Sequence, residues 1–264
     1  MRAALAVAAA LLCTPLAVQA QDQTQEARTQ EFAQLPYWPG YWISKHQFGT
    51  TIGGFAPSIQ EAREKGEPLS DDYMPLLGLK APWSETGKDR FAATAAARGG
   101  RKARGWGYPV MMNAAAPLQI LITPEEVMII NPYSDVRHIY TDGRPMPSED
   151  DMWPTVWGTS VGHWEGNVLV IETRGVRNPA DYFHGSPPLS EEAVYYERLW
   201  LEGDELKSTM RIEDPVTLSQ PWEVELAWLR DEGFDRMIMI DYDNDRTGFD
   251  GEVNTIEPAT VDGE

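Results

Sequence analysis

From Pro117 onward the chain is written in short apolar or alternating runs cut by turn residues, a texture that restricts it to β structure. Runs at 118–123 and 127–130 flank Pro124-Glu125-Glu126, and a run at 136–141 closes on Asp142-Gly143. Runs at 157–164 and 168–173 are separated by Glu165-Gly166-Asn167, and runs at 194–201 and 206–212 by Glu202-Gly203-Asp204. Two further runs cover 223–230 and 236–242. Tight spacing of this kind predicts hairpins. The expected fold is all-β, an antiparallel meander closing into a lipocalin-like barrel, with a short helical and loop-rich N-terminal segment. The segments W-E-G-N-V-L-V and L-E-G-D-E-L-K resemble each other too weakly to be repeated propeller blades.

The first residues impose a different constraint. Arg2, the apolar run 3–17 and the small-residue ending Val18-Gln19-Ala20 read as a cleavable signal peptide over 1–20, so a periplasmic or secreted protein is expected. The single cysteine, Cys13, lies inside that run, which leaves the mature chain without disulfides or thiol catalysis. The net charge of −19 becomes one unit more negative once Arg2 is removed. Such a surface repels phosphate backbones and anionic lipid heads, so neither nucleic acid nor a membrane is expected as partner, and no span remains after signal cleavage. The oligomeric state is left open.

The remaining boundaries follow composition. Residues 21–35 are polar without an apolar period and read as a disordered leader. Residues 36–116 read as a loop and helix segment packed on the barrel. Within it, Ser58 and Glu61 form a capping box for a helix stopped by Gly66, and 88–97 forms a second, Ala-rich helix. The barrel domain is placed at 117–250 and an acidic tail at 251–264.

The motifs I-Y-T-D-G-R-P-M-P (139–147), W-G-T-S-V-G-H-W-E-G-N-V-L-V-I-E-T (157–173) and E-R-L-W-L-E-G-D-E-L (197–206), with I-E-D-P (212–215) and Q-P-W (220–222), give the chain a family likeness. Over roughly residues 105–230 it resembles a family of uncharacterised exported proteins of sphingomonads and acidobacteria. The resemblance implies no agreed activity. After the last run this chain carries Asp241-Tyr242-Asp243-Asn244-Asp245-Arg246 where the family often has a Cys/His/Glu/Asn segment.

Alternation places Trp157, Thr159, Val161 and His163 on one strand face, and Val136, His138 and Tyr140 on one face of another. A barrel interior lined by such residues is a small-molecule pocket. There His163 or Glu197 is the candidate general base, with Arg144 or Tyr140 steadying a developing anion. Trp157, His138, Trp164 and Arg198 are the candidate ligand-binding residues. The bland alternative is that Asp142 and Arg144 pair to pin a turn and His163 bridges backbone groups. Glu197 shares a face with Tyr195, Leu199 and Leu201. If that face is interior, its carboxyl is either neutralised by a proton or paired with an arginine. Arg198 lies on the opposite face with Tyr196 and Trp200, and one of the two charges must point inward.

No metal site is expected: His163 and Glu165 have poor spacing for zinc. Asp241, Asp243, Asp245 and Glu252 match EF-hand positions, but Arg246 replaces the required glycine. No phosphate-binding loop, dinucleotide fingerprint or nucleophile elbow is present, so no cofactor is expected. The 10 tryptophans and 10 tyrosines mostly fill a barrel, and two or three of them are expected to touch a ligand. The expected function is binding of a small lipophilic or aromatic molecule in the barrel pocket, with or without cofactor-free lyase or isomerase chemistry on it. The alternatives are a non-catalytic carrier and an envelope interaction protein. The last requires Trp38 and Trp42 to lie exposed in one patch.

Overall fold

A computed structural model describes residues 25–45, 65, 75–78, 80–97, 106–113, 116–177, 187–233, 235–237 and 239. Nine strands close into a barrel in chain order. They are β1 (Tyr41–Ser44), β2 (Leu118–Ile122), β3 (Glu126–Ile130), β4 (Val136–Tyr140), β5 (Thr159–Glu165), β6 (Val168–Arg174), β7 (Val194–Glu202), β8 (Glu205–Glu213) and β9 (Trp222–Asp231). Closure comes from antiparallel pairing of β1 with β9, from Tyr41 opposite Asp231 to Ser44 opposite Trp228. The expected closed barrel is therefore present.

One seam departs from a pure meander. Strands β4 and β5 run parallel, in register at Ile139 with Ser160 and Tyr140 with Val161. Parallel neighbours cannot be joined by a hairpin, and residues 141–158 make the long exposed connection between them. Elsewhere the turn chemistry read from the sequence holds. Glu165 faces Val168 and Glu202 faces Glu205, so both turns are two residues long. Their first residues, Gly166 and Gly203, have φ of 61° and 62°, a conformation that glycine adopts without a Cβ penalty.

Two expectations at the ends of the barrel are corrected. Tyr41–Ser44, read as loop, is a barrel strand. Its backbone completes the ring by pairing with β2 and β9, and Trp42 and Ile43 are buried there. Conversely, Arg236, Met237 and Met239 of the expected last strand carry no strand structure, and the rest of 236–242 lies outside the described residues. The polar leader contains helix α1 (Gln25–Gln34), a unit distinct from the body that begins at Leu35. The signal peptide, the acidic tail and the helix after Ser58, Lys65 excepted, also lie outside the described residues.

Helix α2 (Glu85–Ala97) starts at Ser84, whose Oγ accepts the Gly87 N–H at 3.1 Å. A side chain at Gly87 is excluded by close approach: a Cβ there would lie 2.1 Å from the Thr217 carbonyl oxygen. Trp83 packs on Trp222 of β9, with ring centroids 6.1 Å apart. The connection between β8 and β9 is organised by Asp214, whose carboxylate accepts hydrogen bonds from the Ser190 N–H (2.6 Å) and Oγ (2.8 Å), the Val216 N–H (2.9 Å) and the Thr217 backbone and hydroxyl. Burial opposes its ionisation, but the Ser190 and Thr217 hydrogen bonds outweigh that and hold its pKa below the ordinary aspartate value.

The lumen is filled by protein. Residues 106–113, ending in a single 3-10 turn at Val110–Asn113, are a plug whose side chains Tyr108, Met111 and Met112 are buried in the core. The Trp228 indole N–H donates to the Met112 carbonyl at 3.0 Å, and the Ser44 hydroxyl donates to Asn113 Oδ1 at 2.7 Å. The segment expected to pack on the barrel thus supplies both a strand of its wall and the contents of its interior.

Candidate functional site

Interior and exterior are assigned by alternation in burial. On β4, Arg137 and Ile139 are buried while His138 is exposed. On β5, Ser160 is buried while His163 is exposed. The face-sharing inferred for Thr159, Val161 and His163, and for Val136, His138 and Tyr140, describes the outside of the barrel, whereas Trp157 precedes β5 and packs against the core. The expected interior pocket lined by these residues is thereby corrected.

What the interior holds is a sealed polar cluster. Arg137 Nη1 lies 2.9 Å from Glu197 Oε2, and both side chains are fully shielded from solvent. Arg137 also donates to Thr173 Oγ1 (3.0 Å) and Ser160 Oγ (3.3 Å), and its guanidinium stacks 4.2 Å from the centre of the Tyr108 ring. The Tyr108 hydroxyl donates to Glu197 Oε2 at 3.3 Å. Burial, and then the Glu197 charge, push the Tyr108 pKa well above its ordinary value, so it stays a neutral donor. Of the two charges on β7 considered from sequence, Glu197 points inward and is paired with an arginine. Its access to a substrate is blocked by the plug.

Trp157 is also an anchor. Its indole N–H donates to Asp135 Oδ1 at 2.9 Å, and the same buried carboxylate accepts the backbone N–H groups of Trp106 (2.7 Å) and Gly107 (3.0 Å) at the start of the plug. Trp164 lies against Trp38, with ring centroids 5.5 Å apart. Trp38 and Trp42 are 3% and 0% exposed, which removes the patch that the interaction-protein reading required.

The remaining candidates meet on the outer surface. A groove of about 740 Å³ crosses the exterior of β5 to β9, and Gly143 and Arg144 of the long connection contribute to its lining. In register, one row runs Val161, Glu172, Tyr196, Arg211, Glu223, and the next runs His163, Val170, Arg198, Thr209. Each row mixes apolar and charged side chains, as an outward sheet face does. Arg144, His163 and Arg198 line this groove, and Glu197 contributes to its wall while its carboxylate turns inward.

Ion pairs fix these side chains. Glu165 accepts from Arg198 Nη2 at 2.8 Å and lies 3.4 Å from His163 Nε2, and these two contacts hold its carboxyl below the usual glutamate pKa. Asp142 binds Arg144 through Nε and Nη2, at 2.9 and 2.6 Å, which lowers the Asp142 pKa. The turn-pinning alternative for Asp142 and Arg144 is what the geometry contains. The Arg144 guanidinium also covers the Tyr140 ring at 4.0 Å, and His138 Nδ1 pairs with Glu126 at 2.8 Å, so Tyr140 and His138 stand beside the groove without lining it.

Sequence reasoning missed Val170, Tyr196 and Arg211 as groove residues and Arg137, Asp135 and Tyr108 as the interior cluster. Tyr196 was legible as a neighbour of Arg198 on its strand face. Arg137 carried no such signal, because one charged residue among alternating neighbours fits either face. No group of His, Cys, Asp and Glu suited to a metal occurs among the described residues. Likewise, no helix among them is long and apolar enough to cross a membrane. No family model, curated protein or solved structure matches the chain.

Proposed function

We propose that the protein is exported and binds a small lipophilic or aromatic molecule in the outer groove, as a carrier and not as a catalyst. The observation that carries this reading is the groove itself. Val161, Val170 and Tyr196 offer apolar surface within a volume of about 740 Å³, inside the range of roughly 300–1,000 Å³ typical of small-molecule sites. Tyr196 is one of few large hydrophobic side chains left exposed among the described residues. Export is supported by the N-terminal sequence. Carriage is favoured over catalysis because the Glu197 carboxylate faces Arg137 behind the barrel wall, and because His163 is a solvent-facing side chain, 65% exposed, whose ring partner is another exposed residue.

The test is fluorescence titration of the mature protein with N-phenyl-1-naphthylamine, an uncharged aromatic probe. Saturable enhancement is expected, weakened about tenfold or more in Val170→Asp, which puts a charge on the apolar floor. Absence of saturable binding, or binding indifferent to Val170→Asp, overturns the reading. Native mass spectrometry of protein purified from its own compartment then identifies the retained molecule.

A further inference from the structure

Resting on that reading, we infer that the ligand carries an anionic oxygen group, received at the end of the groove formed by Arg144, His163 and Arg198. Arg144 and Arg198 line the groove, whereas the carboxylates that hold them, Asp142 and Glu165, are not among its lining residues; Arg211, farther along, pairs with Glu213 outside the lining and with Glu223 inside it. Arg144 and Arg198 are thus held by carboxylates that do not enter the lining.

Donor capacity remains. A guanidinium has five N–H donors. Glu165 takes one from Arg198 through Nη2, and Asp142 takes those of Arg144 through Nε and Nη2. The other donors are available to a ligand in the fork geometry that suits a carboxylate, sulfonate or phosphate.

Glu165 also fixes the spacing. It contacts both His163 on β5 and Arg198 on β7, which flank Val170 of β6 in one register row. An anionic group lying over Val170 therefore meets His163 on one side and Arg198 on the other, in a groove that Arg144 also lines. The acidic residues of the lining do not compete at that end. Glu172 is bound to Arg174 Nε at 2.6 Å, Glu223 stands at the far end on β9, and the Glu197 carboxylate is inside the barrel. The chain's net charge of −19 does not exclude an anion there, because distant charges are screened over roughly 8 Å at physiological salt.

Two probes of nearly the same shape separate this inference from the reading beneath it. They are 1-anilinonaphthalene-8-sulfonate, an anion, and N-phenyl-1-naphthylamine, its uncharged counterpart. The mature wild-type protein is expected to bind the sulfonate more tightly than the amine. Arg198→Gln should weaken the sulfonate about tenfold or more, a loss several times larger than any it causes for the amine, and Arg198→Lys should restore part of the loss. Val170→Asp should weaken both, which places them in the groove. If both probes bind equally and Arg198→Gln changes neither, the anionic inference is overturned and the lipophilic site stands. If neither probe binds, the site itself is overturned and the inference with it.

Discussion

Arg137 and Glu197 meet at 2.9 Å in the centre of the barrel, the one from β4 and the other from β7, with no solvent access to either side chain. A buried pair of this kind is costly to break, because the survivor keeps its charge without a partner. Glu197→Ala and Arg137→Ala are each expected to destabilise the protein by about 3–5 kcal/mol in urea unfolding. The double change Arg137→Met/Glu197→Leu should recover most of that loss. A double variant no better than the singles would mean the pair is needed for more than mutual neutralisation.

Asp135 ties the plug to the barrel wall through the N–H groups of Trp106 and Gly107 and the Trp157 indole. Asp135→Ala removes the acceptor of four donors, the Asn131 side-chain amide being the fourth, at about 1–3 kcal/mol for a buried group left unsatisfied. The expected outcome is faster amide hydrogen exchange in residues 106–113 with the hairpin of β7 and β8 unchanged. Uniform acceleration across the barrel would show that the plug and wall open together.

The Asp214 carboxylate has a depressed pKa in the folded protein. Its contribution is therefore fully present above the unfolded aspartate pKa of about 3.9 and is lost as pH falls through the lower folded value. The stability difference between wild type and Asp214→Asn should be constant from neutral pH down to about pH 4 and shrink below it. A difference that does not change with acid would contradict this assignment.

Gly87 packs so closely on the Thr217 carbonyl that a methyl group has no room. In an open helix Gly to Ala stabilises by roughly 1 kcal/mol. Here Gly87→Ala is expected to destabilise by about 1–3 kcal/mol through overpacking, with calorimetric melting as the measure. A raised melting temperature would mean that α2 can shift away from the loop at little cost.

His163→Gln separates carrier from catalyst without disturbing the fold. The side chain is exposed, so stability should stay within about 0.5 kcal/mol of wild type. If a retained ligand is found, its chemical state should be the same in the variant. Accumulation of an unconverted form in the variant alone would restore the catalytic reading.

The alternation of apolar residues and the Gly166 and Gly203 turns determined most of the strands, their hairpin pairing and the barrel class, because a two-residue period and a left-handed turn position are local properties. They also determined which side chains share a face: His163 with Val161, Arg198 with Tyr196, Glu197 with Tyr195. Only the tertiary structure decided which face is inside. On β4 and β5 both faces mix polar and apolar residues, and the choice is made by what fills the lumen, namely Tyr108, Met111 and Met112 of the plug around Arg137 and Glu197. The strand that closes the ring was hidden for the same reason. Tyr41–Ser44 is too short to show a period, and it becomes a strand because β9 and β2 present backbone partners on either side of it. Local sequence sets the conformation each segment favours, whereas the side that is buried depends on contacts between segments far apart in the chain.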